Sequence, residues 1–253
     1  GNAQRTDSAI VSGMDGVAPT FDAASKINTS AIKIVLGDGV GVDESTIAAG
    51  DFALNGSATL ANVSVTENGT GADVVLRFDP VDQKNIQVDI TSAIDDTSGN
   101  SLGSGSKVVS DMDGVAPTIT GPNPADGATL SDASPTYTVD VTDAGVGVDL
   151  STLRVTVTDS SGTVLDNVGT GDGAVSFSDG TLTIDGPAYA DGQVDVTVDA
   201  DDNAGNAAPQ FTSTFTVDTT APTVTSITRD SPGSTVTNGD SVTFGFADHN
   251  RVR

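Results

Sequence analysis

Apolar residues in this chain recur at every second position in short runs, and no run of useful length shows the three-to-four spacing of a helix. The runs are rich in Val, Ile and Thr, the residues that fit a pleated, half-buried surface. One set covers Ile32 to Leu36, Phe52 to Leu54, Val74 to Phe78, Ile86 to Ile90 and Lys107 to Val109. A second covers Thr136 to Val141, Leu153 to Thr158, Thr181 to Ile184, Val194 to Asp199 and Phe211 to Val217, the last placing Phe211, Ser213, Phe215 and Val217 on one face. Gly and Asp crowd the intervals and supply positive φ and side-chain-to-backbone turns. About seven short strands per hundred residues, with frequent turn signals, predict an all-β chain of immunoglobulin-like sandwiches.

The two sets are copies. Gly39-Val-Gly-Val-Asp43-Glu-Ser-Thr46 recurs as Gly145-Val-Gly-Val-Asp149-Leu-Ser-Thr152, and Asp95-Asp96-Thr-Ser-Gly-Asn100 recurs as Asp201-Asp202-Asn-Ala-Gly-Asn206. Both pairs are offset by 106 residues, so one fold is written twice without net insertion between them. A hexapeptide marks the period: Asp15-Gly-Val-Ala-Pro-Thr20, Asp113-Gly-Val-Ala-Pro-Thr118 and Asp218-Thr-Thr-Ala-Pro-Thr223. The reading divides the chain into the final strand of a preceding repeat (1–14), two complete units (15–112 and 113–217) and the first strands of an incomplete one (218–253). The chain thus reads as a window on a longer array. A lone strand at Ser8 to Val11 would offer unpaired backbone for pairing with another copy. Pro19, Pro117 and Pro222 fix φ and push the preceding Ala towards an extended conformation, so the expected joints are short and stiff and the expected array is rod-like.

Asp-Asp-Asn-Ala-Gly-Asn206, followed by Phe-Thr-Val-Asp-Thr-Thr-Ala-Pro-Thr223, resembles the Ig-like repeats of large bacterial and archaeal surface proteins. With the acidic composition, the chain is most similar to haloarchaeal S-layer or surface-filament glycoproteins. The resemblance implies a structural, extracellular, cell-surface role in an S-layer or filament, with copies of the same chain or other surface proteins as partners. Such repeats also serve as adhesin or carbohydrate-binding stalks and as spacers of secreted enzymes.

Charge narrows the field. There are 35 Asp and Glu, 33 of them Asp, against 10 Lys and Arg, giving a net charge of −25. Such a chain repels phosphate and is not expected to bind nucleic acid or an anionic membrane. A solvated acidic surface suits concentrated salt, where self-repulsion is screened within a few ångströms. With no cysteine, disulfides cannot staple the domains. No stretch approaches the roughly 20 apolar residues of a membrane span, and any leader or anchor is expected outside this window.

No catalytic constellation stands out. His249 is the one histidine and has no nameable partner, so the chain is not expected to be an enzyme. The Asp clusters allow a geometric expectation. In an Ig-like sandwich the B-to-C and F-to-G loops lie where the chain enters the domain. Asp111, Asp113, Asp143, Asp149, Asp201 and Asp202 should therefore gather at one junction, and Asp15, Asp38, Asp43, Asp95 and Asp96 at another. Hard oxygen ligands from a linker and two loops suit calcium, while the same Asp residues could instead cap turns and bind linker backbone. Four sequons, at Asn28, Asn55, Asn62 and Asn68, all fall in the first unit and suggest one glycosylated face.

Overall fold

The computed structural model describes residues 15–223. The segments expected to belong to a preceding repeat (1–14, with Ser8 to Val11) and to a following one (Val224 to Arg253, with His249) lie outside the described residues.

The described chain is all-β and forms two sandwiches. The first is built from β1 (Thr20–Asn28), β2 (Ala31–Gly37), β3 (Phe52–Leu54), β4 (Leu60–Asn68), β5 (Gly71–Phe78), β6 (Asn85–Ile90), a small hairpin of β7 (Ile94–Asp95) and β8 (Ser101–Leu102), and β9 (Gly105–Ser110). Its sheets are β1-β2-β5-β4 and β3-β6-β9, the four-on-three arrangement of an immunoglobulin constant-type domain. The second sandwich contains β10 (Thr118–Asn123), β11 (Ala128–Leu130), β12 (Tyr137–Thr142), β13 (Val148–Asp159), β14 (Gly162–Val168), β15 (Val175–Ser178), β16 (Thr181–Ile184), β17 (Gly192–Asp202) and β18 (Phe211–Val217). Here the sheets are β10-β12-β16-β15 and β11-β18-β17-β13-β14. Strand β11 pairs parallel to β18, so the entering chain contributes to both sheets of its own domain.

Alternation decides which side chains are inside. Ile32, Ile34 and Leu36 of β2 and Val74, Leu76 and Phe78 of β5 meet Ile86, Val88 and Ile90 of β6 across the first core, all buried. In the second core Tyr137, Val139, Val141, Leu182 and Ile184 face Leu153, Val155, Val157, Val194, Val196, Val198, Phe215 and Val217. Without a disulfide or Trp at the centre, three aromatic rings fill it. Phe215 stacks on Tyr137 with centroids 6.3 Å apart and meets Tyr189 edge-on at 5.6 Å. The Tyr137 hydroxyl shares a 2.5 Å hydrogen bond with Ser213 Oγ, which satisfies both buried groups. Burial, helped by the charge of Asp159, pushes the Tyr189 hydroxyl up to about 12.

The ten strands expected from alternation are all present: β3, β16 and β18 keep the expected bounds, β12 is shifted by one residue and the other six are longer. Those not anticipated are β1, β4, β10, β11, β14 and β15, together with the β7–β8 hairpin. All six of these strands lie at sheet edges, so one face is solvated and the other only half covered, and the alternation fades. The two copies also differ inside their common length. The first replaces the start of a long third strand by two 3-10 turns, Glu44–Thr46 and Ala49–Asp51, then pairs β4 with β5. The second runs β13 unbroken and folds β14 back on it.

Truncating Phe215 to Ala should lower the stability of the second sandwich by about 3–5 kcal/mol, whereas Val108→Ala, at a side chain 60% exposed on β9, should change the first by no more than about 0.5 kcal/mol. Denaturant unfolding followed separately for the two sandwiches checks both.

Candidate functional site

The two repeated motifs and the hexapeptide form one wired platform at the entry of each sandwich. In the loop after β2, Asp38 Oδ2 accepts the amides of Val40 and Gly41 at 2.7 and 2.6 Å. In the loop after β12, Asp143 Oδ2 accepts those of Val146 and Gly147 at 3.1 and 2.6 Å. The following Asp43 and Asp149 each take the amide and hydroxyl of the Ser two residues on, Ser45 and Ser151. Those bonds hold the Asp149 carboxyl below its ordinary value, with burial opposing them. Thr46 and Thr152 hydroxyls then accept the amides of Asp95 and Asp201, joining this loop to the other.

The second loop is organised by a buried carboxylate. Asp96 and Asp202 are 2% and 1% exposed. Asp96 Oδ1 accepts the amides of Ser98 and Asn100, and its Oδ2 accepts Asn100 Nδ2 at 2.7 Å. Asp202 repeats this with Ala204, Asn206 and Asn206 Nδ2. Burial pulls the Asp96 carboxyl upward, but the bonds from Asn100, Ser98 and Gly99 outweigh it and hold it below its ordinary value. The same Asn side chain also reaches the incoming linker, Asn100 Nδ2 donating to the Asp15 carbonyl at 3.1 Å and Asn206 Nδ2 to that of Asp113 at 3.5 Å. The Gly before each Asn has positive φ, 87° at Gly99 and 86° at Gly205, which the tight turn requires.

The hexapeptide Asp opens an Asx turn in all three copies: Asp15 to the Val17 amide, Asp113 to Val115 and Asp218 to Thr220. Its proline is buried at Pro19 and Pro117. The variant third copy has its own partner. Asp191 accepts the Thr219 amide and the hydroxyls of Thr219 and Thr220, which lowers its carboxyl below the usual value, the Thr219 amide contributing most.

Between the sandwiches the linker is embedded in both. Met112 is fully buried in the first core, its amide bonded to the Lys84 carbonyl. Asp113 forms a parallel bridge with Val81, and the Gly114 amide donates to the Val81 carbonyl. A Cβ on Gly114 would stand 2.7 Å from Thr29 and 3.1 Å from Pro80, so the backbone lies against the first sandwich. On the other side Asp113 Oδ2 accepts the Val146 amide of the second sandwich at 3.0 Å.

Two carboxylate groups result, each with oxygens within 4.8 Å of one another: Asp15, Asp38 and Asp96 at the first entry, and Asp82, Asp113 and Asp143 at the second. Burial first, then the charges of Asp113, Asp82 and Asp202, push the Asp143 carboxyl up. Of the expected residues, Asp43 and Asp149 are occupied as turn caps, and Asp95 accepts the Ser101 hydroxyl. Asp111 is exposed with φ 58°, and its carbonyl rather than its carboxylate is engaged, by Lys26. Asp201 serves through its backbone, in the bridge to Ala207 and the bond to Thr152. Asp202 stands close enough to act on Asp143 but is satisfied by its own loop. The residue sequence reasoning missed is Asp82, which has no counterpart at the repeat spacing and lies in the β5–β6 loop of the preceding sandwich.

All four sequon asparagines are exposed. Asn62 and Asn68 lie on the outward side of edge strand β4, and Asn28 ends β1 in the same sheet. Asn55 instead adjoins the other sheet, its carboxamide accepting the Gln87 amide at 2.7 Å, because the chain crosses between sheets after β3. One sheet therefore gathers three of the four sequon asparagines, and the fourth adjoins the other sheet.

No family model matches the chain, and no curated protein matches it. Among solved structures, it is similar to CopC from Methylosinus trichosporium OB3b (21% identity, 40% of this chain and 93% of that one, TM-score 0.32). It is also similar to the N-terminal part of the bacterial S-layer protein SbsC (18%, 79% of this chain and 44% of that one, 0.31) and to a titin A168–169 structure (14%, 80% and 100%, 0.38).

Replacing Asp202 by Ala should strand the amides of Ala204 and Asn206 and cost about 1–3 kcal/mol for each buried group left unpaired; faster hydrogen exchange at those two amides, with β18 still protected, is the expected signature. The pH response has two signs. Asp143 has a raised folded value, so its ionised form costs stability at neutral pH, and that cost is relieved as pH falls through the raised value towards 3.8. Asp96 and Asp159 have depressed values, so their contribution is lost only at lower pH still. Melting curves in chelator should therefore show a stabilising limb above pH 3.8 that Asp143→Asn removes.

Proposed function

We propose that the chain is a structural segment of an extracellular surface protein, a tandem Ig-like array that assembles into a layer or filament in a high-salt setting. The observation that carries this is the joint. A linker whose Met112 sits in one core, whose Asp113 bridges to Val81 and whose Asp113 carboxylate holds a loop of the next sandwich transmits force and direction. A freely jointed linker is flexible and polar throughout. Parts of the wiring recur at the other hexapeptides: Asn100 Nδ2 holds the Asp15 carbonyl as Asn206 Nδ2 holds that of Asp113, and Asp191 accepts the Thr219 amide beside Asp218.

The structural reading is supported over a catalytic one by the site's make-up: the described residues contain no His or Cys, and the carboxylates that converge do so at joints. A carbohydrate-binding stalk would present aromatic platforms, yet no aromatic side chain among the described residues is exposed. The net charge of −25 favours a medium where repulsion between neighbouring copies is screened, and the exposed sequons of the first sandwich offer attachment points for glycan.

Electron microscopy of the native protein tests the reading. An ordered sheet or filament that forms at about molar salt and disperses as the Debye length grows on dilution supports it. Isolated rods at every ionic strength, or particles carrying a separate catalytic body, would overturn it.

A further inference from the structure

We propose that Asp82, Asp113 and Asp143 form an interdomain site for a hard divalent cation of the calcium type, which clamps the first sandwich to the second. The inference concerns the joint alone and stands whether or not the chain builds a surface layer.

Three different parts of the chain supply the ligands. Asp82 comes from the β5–β6 loop at the far end of the first sandwich, Asp113 from the linker and Asp143 from the β12–β13 loop of the second. Asp113 is fully buried, and each of its oxygens already accepts one amide, leaving acceptor capacity on both. The decisive atoms are the others. Asp82 Oδ1 and Asp143 Oδ1 are shut off from solvent and accept no hydrogen bond. A buried, unpaired carboxylate oxygen is among the costliest groups a protein can hold, and here two lie beside a third carboxylate. A Cβ on Gly145 would stand 2.1 Å from Asp113 Oδ2 and 2.8 Å from Asp82 Oδ1, so oxygens of both carboxylates converge on the bare backbone of that glycine.

No cationic side chain among the described residues offsets this charge. Among the described residues no Lys or Arg lies within ion-pair distance of the three, and the described ion pair, Lys33 with Asp73, is elsewhere. The charged groups facing Asp143 are Asp82, Asp113 and Asp202, all acidic. An arrangement of this kind needs a cation or a proton. Carboxylate oxygens from three separate segments, with no nitrogen or sulfur donor, select a hard ion tolerant of irregular geometry, which favours calcium over magnesium. The first entry repeats the pattern independently: Asp15 Oδ2 and Asp38 Oδ1 are likewise buried and unpartnered beside Asp96.

The test is calorimetric titration of the full chain with calcium chloride after chelation, at constant ionic strength set with sodium chloride, alongside melting curves. The expected result is saturable binding and a higher melting temperature, with magnesium much weaker. Asp82→Asn should weaken one binding event by about tenfold or more, as loss of a charged ligand does, while leaving the remaining event intact. In chelator the same variant, and Asp143→Asn, should melt at or above the parent because repulsion is relieved; with calcium they should melt below it. That reversal of sign separates a ligand from a residue that merely holds the fold. Absence of binding heat, an equal response to sodium, or an Asp82→Asn titration identical to the parent's would each overturn the proposal.

Discussion

A buried carboxylate must be given donors or a counter-ion, and most of the architecture of this chain follows from where it has placed such groups. Asp96 and Asp202 are enclosed by the amides of their own turn and by one Asn side chain, which reaches on to the carbonyl of the incoming linker. One acidic residue thereby shapes a loop and anchors the segment that enters the domain. Because amide donors satisfy it, the loop can be closed without a single basic residue.

The same economy explains why the two copies can diverge without losing the joint. Strands β2, β5, β6 and β9 correspond at the 106-residue offset to β12, β16, β17 and β18, and the loops that carry the motifs connect these strands. Between them, the region from Asp43 to Phe78 and its counterpart take different routes, with 3-10 turns and a β4–β5 hairpin in one and a continuous β13 with β14 in the other. Edge strands face water on one side and tolerate such exchange. The central strands are covered on their core face and hold register, because a one-residue slip would turn every inward side chain outward.

Much of this was legible beforehand. Full alternation marked the central strands, since a side chain at every second position of β12 or β18 meets a complete core. The edges were not, because β4 begins and ends in exposed polar residues and β11 is only three residues long. At the joints the repeats revealed that Asp15, Asp38 and Asp96 belong together, as do Asp113 and Asp143. They also suggested Asp43, Asp111, Asp149 and Asp201, which local turns consume or leave in solvent. Spacing cannot distinguish a carboxylate that caps its own turn from one pointing across a gap, as that depends on which amides lie within about 3 Å.

Asp82 marks the boundary between the two kinds of knowledge. The sequence by itself determined that the chain is all-β, that one unit recurs, that acidic loops and a proline-bearing linker meet at each entry, and that no disulfide can form. Those conclusions rest on local periodicity and composition. Only the tertiary structure decided that the β5–β6 loop of one sandwich abuts the entry of the next, bringing Asp82 to Asp113 and Asp143. The stacking of domains through Met112, Val81 and Gly114 is a long-range packing outcome with no period of its own, so no pattern along the chain announces it.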